Sequence, residues 1–308
     1  MVRLLAVLVL VGASVNAQTI TQTFGSGANQ FSIDFVEIGN PGNSADTTGL
    51  PNPAGSVSYV YNIGKYEINR DMIDKANLAG ASNIQMFTFV NSDRNSGNKP
   101  AAGINWYEAA RFVNFLNTNS GGTAAYKFDG NGNFQLWSTG DAGYNPNNHF
   151  RNSLARYFLP NNDEWYKAAY GSPSGIWFDY PTGSNTAPVA VSGGTNPDTA
   201  VYGQDIIADI DNAGGLSAWG TMAQGGNLRE WIETAWDKAN DTANEDRTIR
   251  GGPWYNPVEN LSSLNWFRAT PDLEENRNGF RVAMVPEPSS LSLLFAGGAV
   301  LMAGRRRR

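Results

Sequence analysis

Hydrophobic and polar positions alternate in QFSIDFVEI (30–38) and SVSYVYNI (56–63), on either side of a loop rich in Pro, Gly and Asn, and this period of two predicts strands. The period then lengthens. In KYEINRDMIDKANLAG (65–80), Ile68, Met72, Ile73 and Ala76 share one helical face and Gly80 ends the run. GINWYEAARFVNFLNTNSGG (103–122) places Asn105 as N-cap and Glu108 three residues on, so that each side chain satisfies an orphan backbone donor of the other. Trp106, Ala109, Ala110, Val113 and Leu116 then form an apolar stripe. The same device recurs in LPNNDEWYKAAYGS (159–172), with Asn161 as cap, Glu164 at the third position, and Trp165, Ala168 and Ala169 facing inward. Between these helices, AYKFDGNGNFQLWS (125–138) predicts a hairpin with an Asp-Gly-Asn-Gly turn. Asp129, Asn131 and Asn133 imitate an EF-hand start, but Phe134 stands where that loop needs Gly and no Glu closes it. Residues 171–224 have an ordered-loop composition, and neither an internal repeat nor a linker divides the body.

With 308 residues and 41% hydrophobic content the chain can bury a large core, while 34 Gly and 15 Pro require much irregular structure. There is no cysteine, which excludes disulfides, thiolate nucleophiles, Cys-ligated zinc and iron–sulfur clusters. His149 is the single histidine, so one chain cannot supply a two-His-one-carboxylate iron site, and His149 itself reads as a loop or surface residue.

Residues 1–17 have the form of a secretory signal: Arg3, the apolar LLAVLVLV, and Val15-Asn16-Ala17 before Gln18. At the other end, VPEPSS (285–290), LSLLFAGGAVLMAG and Arg305 to Arg308 resemble, in that order, a PEP-CTERM sorting signal. That resemblance implies a Gram-negative source, an exosortase-type sorting partner, transient membrane association through the C-terminal helix, and a surface or extracellular destination. Without both ends the body keeps 17 basic and 27 acidic residues, about −10, which argues against nucleic acid as a partner.

KYEINRDM, KPAAGINWYEAARFVNFLN, YFLPNNDEWYKAAYG, FDYPTGS, NAGGLSAWGTMAQGGNLREW, RTIRGGPW and NRNGFRVA resemble, in sequence and order, the segments of the formylglycine-generating enzyme (sulfatase-modifying factor) superfamily. The resemblance spans 60–285, with 18–59 as an N-terminal β segment of the same domain and 286–308 as the sorting tail. It implies an α+β, C-type-lectin-like fold rich in irregular loops. It also implies a calcium site in GGNLREW, with Glu230 as side-chain ligand and carbonyls from Gly225, Gly226 and Leu228. The residues themselves leave a second reading open, in which Asn227 and Glu230 cap the following WIETAW turn. A second family calcium site would fall at TNPDTAVYGQD (195–205), where Asn196, Asp198 and Asp205 carry oxygen. The family's copper-binding cysteines have no counterpart in YNPVENLSSLNWFRAT, so neither a copper nor an iron site is expected.

Two functions follow from these expectations. The first is an exported surface or matrix protein whose non-catalytic domain binds a glycan or a protein, with Trp254, Asn256, Glu259 and Arg268 as pocket residues and Trp137, Trp177, Tyr180, Trp236, Tyr255 and Trp266 as candidates for an exposed aromatic surface. The second is an enzyme with altered, cysteine-independent chemistry built on Glu259, Arg268, Glu274 and Arg281. Loss of the cysteines favours binding. Intact mass of the exported product should show a chain that begins near Gln18 and ends near Pro286 or Glu287; a secreted product that retains Arg305 to Arg308 would contradict the sorting signal.

Overall fold

The computed structural model describes residues 19–81 and 83–286. The segments expected as secretory signal (1–17) and, from Glu287 onward, as sorting tail lie outside the described residues, among which no helix is long and apolar enough to cross a membrane. The chain runs β1 (Thr19–Phe24), β2 (Phe31–Ile38), β3 (Tyr61–Gly64), α1 (Arg70–Leu78), α2 (Trp106–Asn119), β4 (Lys127–Phe128), β5 (Phe134–Gln135), β6 (Tyr157–Phe158) and α3 (Asn162–Tyr170). It continues with β7 (Val189–Ala190), β8 (Thr199–Ala200), β9 (Arg229–Ala235), β10 (Arg247–Arg250), β11 (Phe267–Ala269), β12 (Asn278–Phe280) and β13 (Ala283–Met284).

Two sheets organise the body. The first has the order β1-β2-β3-β13-β6, and its neighbours pair antiparallel, so the last strand lies beside segments from the start of the chain. The second has the order β11-β10-β9-β12, with β12 parallel to β9. Side chains alternate across β9, as any strand requires. Trp231 and Ala235 join the large core beneath α2, whereas Ile232 packs with Trp165, Tyr166, Ala169 and Tyr170 of α3. Indole hydrogen bonds fasten α2 to β9 in both directions: Trp106 Nε1 donates to the Ile232 carbonyl at 3.0 Å, and Trp231 Nε1 to the Ile104 carbonyl at 2.7 Å.

The helix starts follow their caps. Both capping boxes are closed, with Asn105 accepting from the Glu108 amide and Asn161 from the Glu164 amide, each at 2.9 Å. The first helix begins later than its periodicity suggests, because Asn69 is the N-cap and Ile68 is still extended, donating its amide to Phe280 O. The predicted strand at 56–63 shortens to Tyr61–Gly64, since Val57 is drawn into the preceding loop by bonds to Gly42 and Asn43. The 125–138 hairpin forms as β4 and β5, and Asp129 is spent on its turn, accepting from the Asn131 and Asn133 amides at 2.9 Å. Asn105→Ala and Asn161→Ala should each lower the unfolding free energy by about 1 kcal/mol in chemical denaturation; Asn161→Asp should retain most of it, whereas Asn105→Asp, which sets a carboxylate against Glu274, should not.

Candidate functional site

GGNLREW is an interior junction. Glu230 is fully buried at the N-terminal end of β9, and its carboxylate forms a two-pronged ion pair with Arg281, Nη2 to Oε1 at 2.5 Å and Nε to Oε2 at 2.7 Å. Trp165 Nε1 donates to the same Oε2 at 2.7 Å. Asn227 adopts φ +58°, its carboxamide donates to Glu67 at 2.6 Å, and the Leu228 amide donates to the other Glu67 oxygen at 3.0 Å. Burial, followed by the nearby Glu230 charge, pushes Glu67 up to about 8.

This arrangement does not fit the expected calcium site. Both Glu230 oxygens are taken by a guanidinium and an indole, and a cation there would face the Arg281 charge directly. The carbonyl at Met222 points to Arg281 Nη2 at 2.8 Å. Gly225 packs on Pro181 and Leu261, and at Gly226, with φ +98°, a Cβ would lie 2.5 Å from Val201 O, so these glycines serve close chain approach. The capping alternative fails too, because the chain after Asn227 runs directly into strand β9 and forms no helix there. Asp198 sits in a turn at φ +55°, and among the described residues no three His, Cys, Asp or Glu side chains converge as a metal-binding group.

RTIRGGPW is interior as well. Arg247 lies over the rings of Trp106 and Phe150 at 4.5 and 4.0 Å, and Arg250 over Tyr166 at 5.0 Å. Burial lowers Arg247 to about 10, which leaves it charged at neutral pH. The four expected pocket residues do not converge. Trp254 is buried, edge-on to Phe89 and Tyr255, and its amide donates to Asn227 O. Asn256 docks through its carbonyl on Gly203, Glu259 lies in a 3-10 turn, and Arg268 is exposed on β11 beside Asp246. Of the residues in the enzyme reading, Arg281 is committed to Glu230 and Glu274 accepts from the Asn105 carboxamide at 2.9 Å.

A cleft of about 330 Å³ opens elsewhere, past the C-terminal half of β9 and the N-terminus of α3. Six asparagines line it (Asn145, Asn147, Asn148, Asn161, Asn162 and Asn240), together with Arg151, Asp163, Thr234, Lys238 and two prolines, Pro51 and Pro53. Beneath it Arg151 reaches two fully buried carboxylates, Nε to Glu233 at 3.2 Å and Nη1 to Glu164 at 3.6 Å, and its guanidinium lies 4.0 Å from the Phe158 ring centre. Asn148 donates to Glu233 and accepts from Asn240 Nδ2 at 2.9 Å, and Tyr126 OH lies 3.4 Å from Glu233 Oε2. Burial pushes Glu233 up to about 7, against the opposing pull of Arg151 and Asn148. For Arg151, burial alone would lower the group, but Glu233 and Glu164 outweigh it and raise it. His149 lies in the adjacent loop, 3.0 Å from Tyr144 OH.

Spacing along the chain marks Asn161 and Glu164 only as a capping box and does not single out Arg151 or Glu233. The one available signal was the NPNN run at 145–148, whose density of carboxamides exceeds what a turn needs.

The two-sheet, loop-rich α+β frame is a C-type-lectin-like fold of the formylglycine-generating type. The chain belongs to the sulfatase-modifying factor enzyme 1-like family, whose model matches residues 30–285. Among solved structures, Treponema denticola variable protein 1 is similar at 17% identity and TM-score 0.58, over 87% of this chain and 99% of that one. CarF is similar at 20% identity and TM-score 0.58, over 83% of this chain and 99% of that one. No curated protein sequence matches the chain.

Because Glu233 is raised from 4.5 to about 7, the folded state holds its proton more tightly than the unfolded chain does. Its unfavourable contribution is absent below about 4.5, grows as pH rises, and is complete above about 7. Stability should therefore fall between pH 5 and 7 with a slope from this group of at most ~1.4 kcal/mol per pH unit. Glu233→Gln should flatten that part of the profile, measured by chemical denaturation at each pH.

Proposed function

We propose that this protein is a non-catalytic binding module, exported to the surface or surroundings of a Gram-negative cell, and that the asparagine-lined cleft at the end of β9 binds a glycan. The lining carries this reading. A carboxamide both donates and accepts, as a sugar hydroxyl does, and the cleft gathers six of them in one concave surface. The frame is already fixed: Asn148 is held by Glu233 and Asn240, and Asn161 by its capping box, so little side-chain entropy is lost on binding. Among the described residues, no hydrogen bond engages the Asn147 carboxamide or the Lys238 ammonium, which leaves both for a ligand.

Export rests on the signal segment and the sorting tail in the sequence. The absence of cysteine removes the thiolate pair by which this family oxidises a substrate thiol. Glu233 is the carboxylate whose raised value suits acid–base work, but it is fully buried below the cleft and bonded to Arg151, Asn148 and Tyr126. Its arrangement supports a role in positioning the cleft's lining.

Glycan-array binding of the mature protein, followed by calorimetry on the hits, is the direct test. Asn147→Ala should weaken binding by roughly tenfold, the worth of one or two hydrogen bonds, without a change in melting temperature. Unchanged affinity, or capture of proteins and no glycan, would contradict the proposal. Copper-loaded protein incubated with a Cys-x-Pro-x-Arg peptide should yield no aldehyde; turnover there would restore catalysis.

A further inference from the structure

The cleft adjoins an aromatic pair that the lining does not include. Thr234 at the end of β9 and Lys238 in the turn that follows both line the cleft, and Trp236 lies in that turn between them, its amide donating to Asp246 O at 2.9 Å. Trp236 is therefore flanked along the chain by two residues of the cleft lining, Thr234 and Lys238. Its ring stacks on Trp266 with centroids 4.1 Å apart and planes 23° from parallel. Both tryptophans are only half-buried, and among the described residues neither indole N–H has a hydrogen-bond partner. A core pair normally buries its rings and satisfies its N–H groups, as Trp106, Trp165 and Trp231 do here.

The charges around the cleft supply a second constraint. Arg151 and Lys238 are opposed by Glu164, Glu233 and Asp163, and Arg151 already faces two carboxylates. With Glu233 raised to about 7, the surrounding carboxylates roughly balance Arg151 and Lys238, so the guanidinium can donate hydrogen bonds but a carboxylate or sulfate ligand gains no net attraction at the floor. A neutral sugar needs no such attraction, and the apolar C–H face of a pyranose matches the accessible part of the half-buried indole pair.

We propose that the cleft and the Trp236–Trp266 pair form one extended site for a neutral oligosaccharide, with one sugar ring among the asparagines and a neighbouring ring against the indole pair. This rests on the reading of the cleft as a glycan site. The test is titration of the full mature protein with xylo-, cello- and manno-hexaose, their disaccharides, and hexagalacturonate, read by tryptophan fluorescence and calorimetry. At least one neutral hexaose should bind, tenfold or more tightly than hexagalacturonate and than its own disaccharide. Trp266→Ala and the milder Trp266→Leu, each checked by thermal melting, should weaken the hexaose about tenfold and the disaccharide much less. Asn147→Ala should weaken both alike. Glu233→Gln, which removes a negative charge, should narrow the gap to hexagalacturonate. If Trp266 variants weaken hexaose and disaccharide equally, or neither, the aromatic subsite is wrong while the cleft stands. Hexagalacturonate binding as tightly as the neutral sugars overturns the charge argument. Failure of every neutral hexaose to bind overturns the proposal, and insensitivity to Asn147→Ala overturns the glycan cleft itself.

Discussion

The structure depends on one buried charge pair. Glu230 and Arg281 are both essentially inaccessible, and removing two such ions from water is repaid only if their geometry is close and their remaining hydrogen-bonding groups are satisfied. Here they are. Arg281 spends its remaining donors on the carbonyls of Gly64 at 2.9 Å and Met222 at 2.8 Å, and Glu230 accepts from Trp165. The pair thereby joins the end of β3, the long loop that precedes β9, the helix α3 and the stretch between β12 and β13. A second carboxylate, Glu67, shares this interior and is accommodated by holding its proton and by accepting from Asn227 and Leu228. In a chain with no cysteine, these contacts do what disulfides do in other loop-rich domains.

The alternation of β9 carries this anchoring outward to the cleft. Glu230 and Ile232 fix the strand against α3, while Trp231 and Ala235 fix it against α2. Both Thr234 and Glu233 arrive at the cleft in defined positions as a result. Thr234 Oγ1 accepts the Asn162 amide at 2.8 Å, next to the cap of α3, and Glu233 holds Arg151 and Asn148 from below. The same strand that is immobilised at one end by an ion pair thus presents, at its other end, a polar surface with few degrees of freedom left.

Much of the frame was legible in the sequence because its signals are local. Capping boxes, the apolar stripe of α2, the Asp-Gly-Asn-Gly turn and the ordered family segments each act within a few residues, and the α+β fold followed from them. The misreadings came from long-range partners. Glu230 resembles a calcium ligand until Arg281, fifty-one positions away, occupies its carboxylate. Trp254 resembles a pocket wall until Phe89 covers it. Arg151 and Glu233 give no local sign of their pairing, since their meeting depends on how the 145–151 loop crosses the end of β9.

The central claim, that an ion pair and not a bound cation organises the interior, is tested most directly by a double-mutant cycle at Glu230 and Arg281, measured by chemical denaturation with calcium and with chelator. The account predicts that Glu230→Gln and Arg281→Met each cost about 3–5 kcal/mol, that the double variant costs far less than the sum, and that calcium changes none of these values. Additive single losses, with a stabilisation by calcium that disappears in Glu230→Gln, would contradict it.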